Sequence, residues 1–231
     1  MVLKNPACTF RAEGESITLY RDEKALTTPL GFPVAVPTQA LAEKIAKEFE
    51  AVGARMDLRK MPMMQMTLTA IDMTARRREE VLSDIMRYGE TELICQRATD
   101  PADLVAEQEK TWRPYLDWCQ TKFGADLCTG SGIAPFKQKA ESLAALRAFV
   151  ETLDAFFLTG FSAACGTLGS LVLGLALLEV RANAAKAFEA AELEGLWQIR
   201  KWGEDPVSQS RHANIKRDLE ACAQWFLLLR K

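Results

Sequence analysis

The feature that most limits how this chain can fold is a run of 24 residues, Ala155 to Leu178, that carries no charge and lies between Asp154 and Glu179. A helix of that length spans the hydrocarbon core of a bilayer, so the run must be either a membrane segment or protein interior. The spacings Gly160/Ala164 and Ser170/Gly174 would suit close packing of helices in lipid. The first half, however, is diluted by Thr159, Gly160, Ser162, Gly166 and Thr167, and no aromatic belt or basic cluster flanks the far end. Gly166 and Gly169 offer places to divide the run. The expectation is buried helix, either one or a pair divided at those glycines, in a protein that is not integral to a membrane.

Composition narrows the chemistry. With 231 residues, 48% of them hydrophobic and 26% charged, the chain can bury a sizeable core. A net charge of −2 gives no overall basic field, and no nucleic-acid partner is expected. There is one histidine, His212. Zinc sites built on several histidines are excluded within one chain, and any triad or Cys–His pair would depend on that residue alone. His212 lies between Arg211 and Lys216 on a polar helix and reads as a surface residue. The six cysteines (8, 95, 119, 128, 165 and 222) form no C-x-x-C pair and read as free thiols acting as small hydrophobes. Carboxylate pairs such as Glu48/Glu50 and Glu192/Glu194 could serve as acid and base, but their setting reads as solvated helix faces. The glycine-rich segments Thr129–Gly132 and Gly166–Ser170 lack the Walker lysine and the strand–loop–helix context. No catalytic residue, metal site or cofactor is expected. Met1–Arg11 resembles neither a secretory signal nor a mitochondrial presequence. The expected location is the bacterial cytoplasm, or the mitochondrial matrix if a presequence has been removed.

Along the chain, alternation at Cys8–Arg11, Ser16–Tyr20 and Val34–Val36 predicts short strands. Thr38 caps a helix with Leu41, Ile45, Phe49 and Val52 on one face, and Gly53 ends it. A second helix is expected from Asp72 to Tyr88 with Gly89 as its stop, then a last strand at Glu92–Gln96. From Asp100-Pro101 onward the pattern is helical. One helix carries Pro114, which should kink or split it, and ends near Gly124. Others are expected over Lys137–Leu153, Asn183–Gly203 and Gln209–Leu229. The fold class is α+β: an N-terminal α+β domain, 1–99, with a small antiparallel sheet, followed by a helical domain, 100–231. The methionines at 56, 61, 63, 64 and 66 either fill gaps in a core or form an adaptable contact surface. All five tryptophans lie in the helical half, and Trp197 and Trp202, near the Gly203 stop, are placed to border an exposed groove.

Several segments in order resemble one family: Met61-Pro62 with Thr67-Leu68-Thr69-Ala70-Ile71-Asp72; Tyr88 through Glu92-Leu93-Ile94-Cys95 and Arg97 to Leu104, Gln108, Trp112, Pro114, Leu116 and Trp118; Thr167 to Val172; and Trp197-Gln198-Ile199-Arg200-Lys201-Trp202-Gly203-Glu204-Asp205. The chain is similar to the assembly chaperones of the ATP synthase catalytic sector, found in mitochondria and alphaproteobacteria. The resemblance runs from about Tyr20 to the end. It implies a non-enzymatic protein that binds the unassembled ATP synthase alpha subunit, prevents its aggregation and hands it on for assembly of the alpha/beta hexamer. It also implies an orthogonal helical bundle in the C-terminal half, no cofactor, and a monomer when free. The family's functionally important acid falls on Glu194, and with it the resemblance implies a partner-binding patch of Glu194, Gln198, Trp202, Gly203 and Trp197. The chain departs from the family at Glu48-Phe49, where Glu-Trp is usual, and at Asp22-Glu23, where a tight Asp-Gly hairpin is usual. The alternative from a different class is an enzyme with a carboxylate or thiol site between the domains.

Overall fold

The uncharged run folds as two helices. In this computed structural model, which describes residues 8–53, 57–132 and 136–230, and with elements numbered in chain order, α6 spans Ala155–Leu168 and α7 spans Leu171–Leu178. Gly169, at φ 64°, supplies the left-handed turn between them. Ser170 then caps α7, its hydroxyl accepting from Leu173 N at 2.9 Å. All eight residues of α7 are buried. An added Cβ on Gly174 would sit 2.6 Å from Cys165 Sγ, so the glycine allows α6 and α7 to pack closely. Among the described residues no helix is long and apolar enough to cross a membrane.

Contacts divide the described residues into two compact units. One holds those up to Arg78 together with Asp154–Gly160 and Gln224 onward; the other holds Glu79–Leu153 and Phe161–Ala223. The change to almost purely helical structure near residue 100 lies inside the second unit. The helices α6 and α10 (Pro206–Leu229) contribute residues to both.

The first unit is built on a small antiparallel sheet. Strand β1 (Cys8–Glu13) pairs with β2 (Ser16–Arg21), and β2 also pairs with β3 (Lys24–Ala25) and β4 (Ala35–Val36). The β2–β3 turn keeps a mirror-type hairpin without glycine, since Asp22 and Glu23 both take positive φ, 51° and 62°. Helix α1 (Gln39–Val52) covers the sheet and starts at the expected cap, Thr38 Oγ1 accepting from Leu41 N. Helix α2 (Pro62–Thr69) follows, with proline at its first position. It runs on into a single π-helical turn, Ala70–Thr74. In the C-terminal pieces of this unit, Asp154 caps α6 through Phe156 N and Phe157 N at 2.8 and 2.9 Å. The Trp225 indole donates to Phe156 O at 2.9 Å.

Several sequence expectations are corrected in the 60s to 90s. The helix expected from Asp72 begins earlier, as α2, and breaks after its π turn. The run Arg76 to Arg78 lies at that break, and α3 spans Arg78–Glu90. Gly89 is not a stop. It is buried within α3, where an added Cβ would meet side-chain carbons of Leu143 and Leu171 at 3.3 Å. The expected strand at Glu92–Gln96 is a 3-10 turn, Leu93–Cys95, followed by the two-residue β5 (Gln96–Arg97). The glycine loop near residue 130 supplies its parallel partner, β6 (Gly130–Ser131). Helix α4 (Ala102–Phe123) runs unbroken through Pro114, and α5 spans Ala140–Val150. The single helix expected over Asn183–Gly203 is two, α8 (Ala184–Ala191) and α9 (Leu193–Trp202), which meet at Glu192.

Met61, Met63 and Met64 are buried, so these methionines fill core gaps; Met56 lies outside the described residues. The six cysteines are free, and all but Cys128 are buried. Burial pushes the Cys95, Cys119 and Cys222 thiols up to about 12. They stay protonated at neutral pH and are poor nucleophiles.

Candidate partner-binding face

Helix α9 carries all the sequence-predicted site residues except Gly203, which follows its last turn. Leu193 and Trp197 face inward, and Glu194, Gln198 and Trp202 are exposed. The last three recur every four residues and therefore share one face. Glu194 lies in the first turn and Arg200 and Lys201 in the last, the arrangement that suits the helix dipole. Gly203 ends the helix, its N–H donating to Ile199 O at 2.8 Å.

The face is held rigidly from behind by α4. The Trp197 indole donates to Asp103 Oδ2 at 3.3 Å, and Lys201 Nζ pairs with the same oxygen at 2.8 Å. Those contacts hold the Asp103 carboxyl below the usual carboxylate range. Arg200 Nη2 donates to Glu107 Oε1 at 2.7 Å. The Trp112 indole, wholly buried, donates to Ala190 O at 2.7 Å. Trp197 meets Trp202 edge to face, with centroids 5.5 Å apart at 83°. Trp202 remains 75% exposed, so the aromatic contact orients the ring without covering it.

Glu194 has a buried support. Gln108 is fully buried on α4. Its Oε1 accepts from Ala98 N at 2.9 Å, and its Nε2 donates to Glu194 Oε1 at 2.6 Å. Because the backbone N–H can only donate, the amide must face it with oxygen, which leaves the NH2 for the carboxylate. One Glu194 oxygen is thus fixed from inside while the residue stands at the surface.

Two sequence readings are corrected here. His212 is not a surface residue but 5% exposed. Its Nε2 lies 3.3 Å from Glu192 Oε2 and its Nδ1 3.4 Å from Glu204 Oε1, with its ring edge to face on Phe188. Glu192, read as solvated, also pairs with Arg211. Together these groups tie the α8–α9 junction to α10. His212 shares the stripe of Ile215, Leu219, Cys222 and Phe226 at helical spacing, which is the sequence signal for its burial. The second correction is Glu48, which is buried, not solvated, and accepts from Met63 N and Met64 N at 2.9 and 3.0 Å.

Comparison with known proteins decides the family. The model of the ATP12 chaperone protein family matches residues 5–120. The crystal structure of Atp12 from Paracoccus denitrificans superposes with a TM-score of 0.93 at 31% identity, covering 98% of this chain and 99% of the other. This chain belongs to the ATP12 chaperone protein family. A crystal structure of an Agrobacterium tumefaciens protein superposes with the same TM-score, 0.93, at 30% identity, covering 98% of this chain and 85% of that one. The mitochondrial protein atp12 of Schizosaccharomyces pombe is 23% identical over 92% of this chain and 78% of its own length. The family model reaches α4, which holds Asp103, Glu107, Gln108 and Trp112 behind the face. Helix α9 itself falls beyond the matched segment and within the span covered by the ATP12-family structures.

Proposed function

We propose that this ATP12-family protein is an assembly chaperone that binds the unassembled ATP synthase alpha subunit and keeps it soluble until it pairs with beta. It acts by holding its client rather than by transforming it. The contact is made by Glu194, Gln198, Trp202 and Gly203, with Trp197 as the buried support beneath them. The observation that carries this reading is Trp202, a large aromatic left 75% exposed on a helix otherwise pinned by hydrogen bonds and ion pairs. An ordered, exposed tryptophan is the kind of side chain that anchors protein interfaces. The site of action is the compartment where the alpha subunit is held before assembly: the cytoplasm in a bacterium, the matrix in a mitochondrion.

Co-expression with the isolated alpha subunit followed by size exclusion tests the reading. The expected result is a stoichiometric complex and a raised soluble yield of alpha. Alpha eluting alone with an unchanged yield would sink it. Glu194→Lys reverses the exposed charge and takes the acceptor from the buried Gln108 amide, so it is expected to weaken alpha binding about tenfold and to lower the melting temperature, whereas Glu194→Gln, which keeps an acceptor oxygen, is expected to weaken binding with a melting temperature close to that of the parent. Unaltered affinity would remove Glu194 from the contact.

A further inference from the structure

Helix α9 ends on Trp202, and the turn that follows decides how firmly that ring is presented. Gly203 leaves the helix at φ 92°, a conformation that other residues rarely adopt, and it has no side chain with which to anchor the turn. Asp205, two residues on, is engaged in capping α10, its Oδ1 accepting from Val207 N and Ser208 N at 2.9 and 3.0 Å. Glu204 lies between them and ties the turn to the structure behind it. Its Oε1 lies 3.4 Å from Nδ1 of His212, whose side chain is buried.

The other edge of the imidazole meets the opposite end of α9. Nε2 lies 3.3 Å from Oε2 of Glu192, the residue at which α8 gives way to α9. Phe188 supports the ring from α8, edge to face at 5.3 Å. One side chain of α10 therefore reaches both the residue before α9 and the turn after it.

Both contacts are longer than a well-formed N–H···O bond, so charge sets their strength more than bond geometry does. A neutral ring carries one N–H and faces two carboxylates. Arg211 Nη2, 3.3 Å from Nε2, is the donor available to its bare nitrogen. A protonated ring donates at both edges and attracts both acids. The charged groups facing it are Glu192 from the α8–α9 junction, Glu204 from the α9–α10 turn and Arg211 from α10 itself. Arg211 opposes a second cation, but its own charge is met by Glu192. Lys216 stands one step removed, over the Phe188 ring at 4.6 Å.

We propose that His212 is a positioning residue for the client face: it clamps α9 from both ends, and a proton gained by its ring tightens the turn beyond Trp202 and with it the grip on the alpha subunit. Histidine is the side chain whose charge changes near neutral pH, and this chain has one. The inference rests on the alpha subunit being the client.

The first measurement needs no client. NMR of the free full chain follows the imidazole and the Trp202 indole from about pH 8.5 to about pH 6, the indole signal being assigned by its loss in Trp202→Phe. The Trp202 signal is expected to move with the imidazole in the parent and to stay still in Glu204→Gln, which keeps an acceptor oxygen but loses the charge. A parent Trp202 signal that ignores the imidazole would overturn the inference. The second measurement is affinity for isolated alpha subunit over the same range. Parent binding is expected to tighten about threefold as the ring gains its proton. Glu204→Gln and His212→Gln are each expected to bind at the parent's high-pH level throughout. Melting curves check that both are folded, and the partly exposed Glu204 keeps the test open if the buried His212 tolerates no change. A parent-like pH dependence in Glu204→Gln would overturn the inference and leave the client reading standing. Failure of the parent to bind alpha at any pH would overturn the client reading and the inference with it.

Discussion

Two buried carboxylates hold helix starts, one in each unit, and they are unequally placed. In the first unit Glu48, on α1, accepts from the N–H groups of Met63 and Met64 at the start of α2. In the second, Glu92 accepts from Leu171 N and Val172 N at 2.9 and 3.1 Å at the start of α7, from Ile94 N at 3.3 Å and from the Ser170 hydroxyl. Both oppose the positive end of a helix dipole. Glu92 has twice the donors, yet its carboxyl is pushed up to about 7, because complete burial outweighs them all. Glu48 is also raised by burial, opposed by its two backbone donors and by Lys44. Hydrogen bonds thus determine where a buried acid sits, while desolvation determines whether it is charged there.

The largest effect is expected for Glu92→Ala, which strands the Leu171, Val172 and Ile94 N–H groups and leaves the Ser170 hydroxyl without its acceptor. Urea unfolding is expected to show a loss of about 3 kcal/mol. A loss under about 1 kcal/mol would mean that water replaces the carboxylate. Next comes pH. The folded pKa of Glu92 lies above its ordinary value of 4.5, so the native state binds the extra proton. Its contribution is fully present below pH 4.5 and is lost as pH rises through about 7. Glu92→Gln, which cannot titrate, is expected to remove that fall in stability between the two limits. An unchanged pH profile would show that another group is responsible. Glu48→Ala is expected to cost about 2 kcal/mol, less than the Glu92 change because only two donors are stranded. Equal losses for the two variants would erase the distinction between the units. The smallest effect is expected for Ser170→Ala, about 1 kcal/mol. With one donor gone, NMR titration of the Glu92 carboxyl should show a pKa higher than in the parent; a lower value would contradict the hydrogen bond.

The α+β class, the small antiparallel sheet and Gly169 as a place to divide the uncharged run were legible because each rests on local patterns. Thr38 was found as a cap because capping chemistry is written in adjacent residues. The carboxylate roles were missed for different reasons. Glu48 was legible in principle, since it lies with Leu41, Ile45 and Val52 on one helical stripe where a charge must be buried or interrupt the face. Glu92 carried no such signal, because all its donors but the nearby Ile94 N lie 78 or more residues away, at the start of a helix that only the tertiary fold brings near. The break at Glu192 was hidden because helical spacing continues across it. On the candidate face, the spacing of Glu194, Gln198 and Trp202 could be read directly, but the buried Gln108 that steadies Glu194 lies on α4, 86 residues earlier.

The capped start of α7 has one further consequence. That helix has no polar side to turn outward, so it has no half-docked state that water tolerates. If Glu92 and Ser170 let go, eight consecutive buried residues lose their cover together. A member of a chaperone family thus carries an apolar strip of its own, secured at its start by Glu92 and Ser170, and its solubility and its fold should fail in the same step.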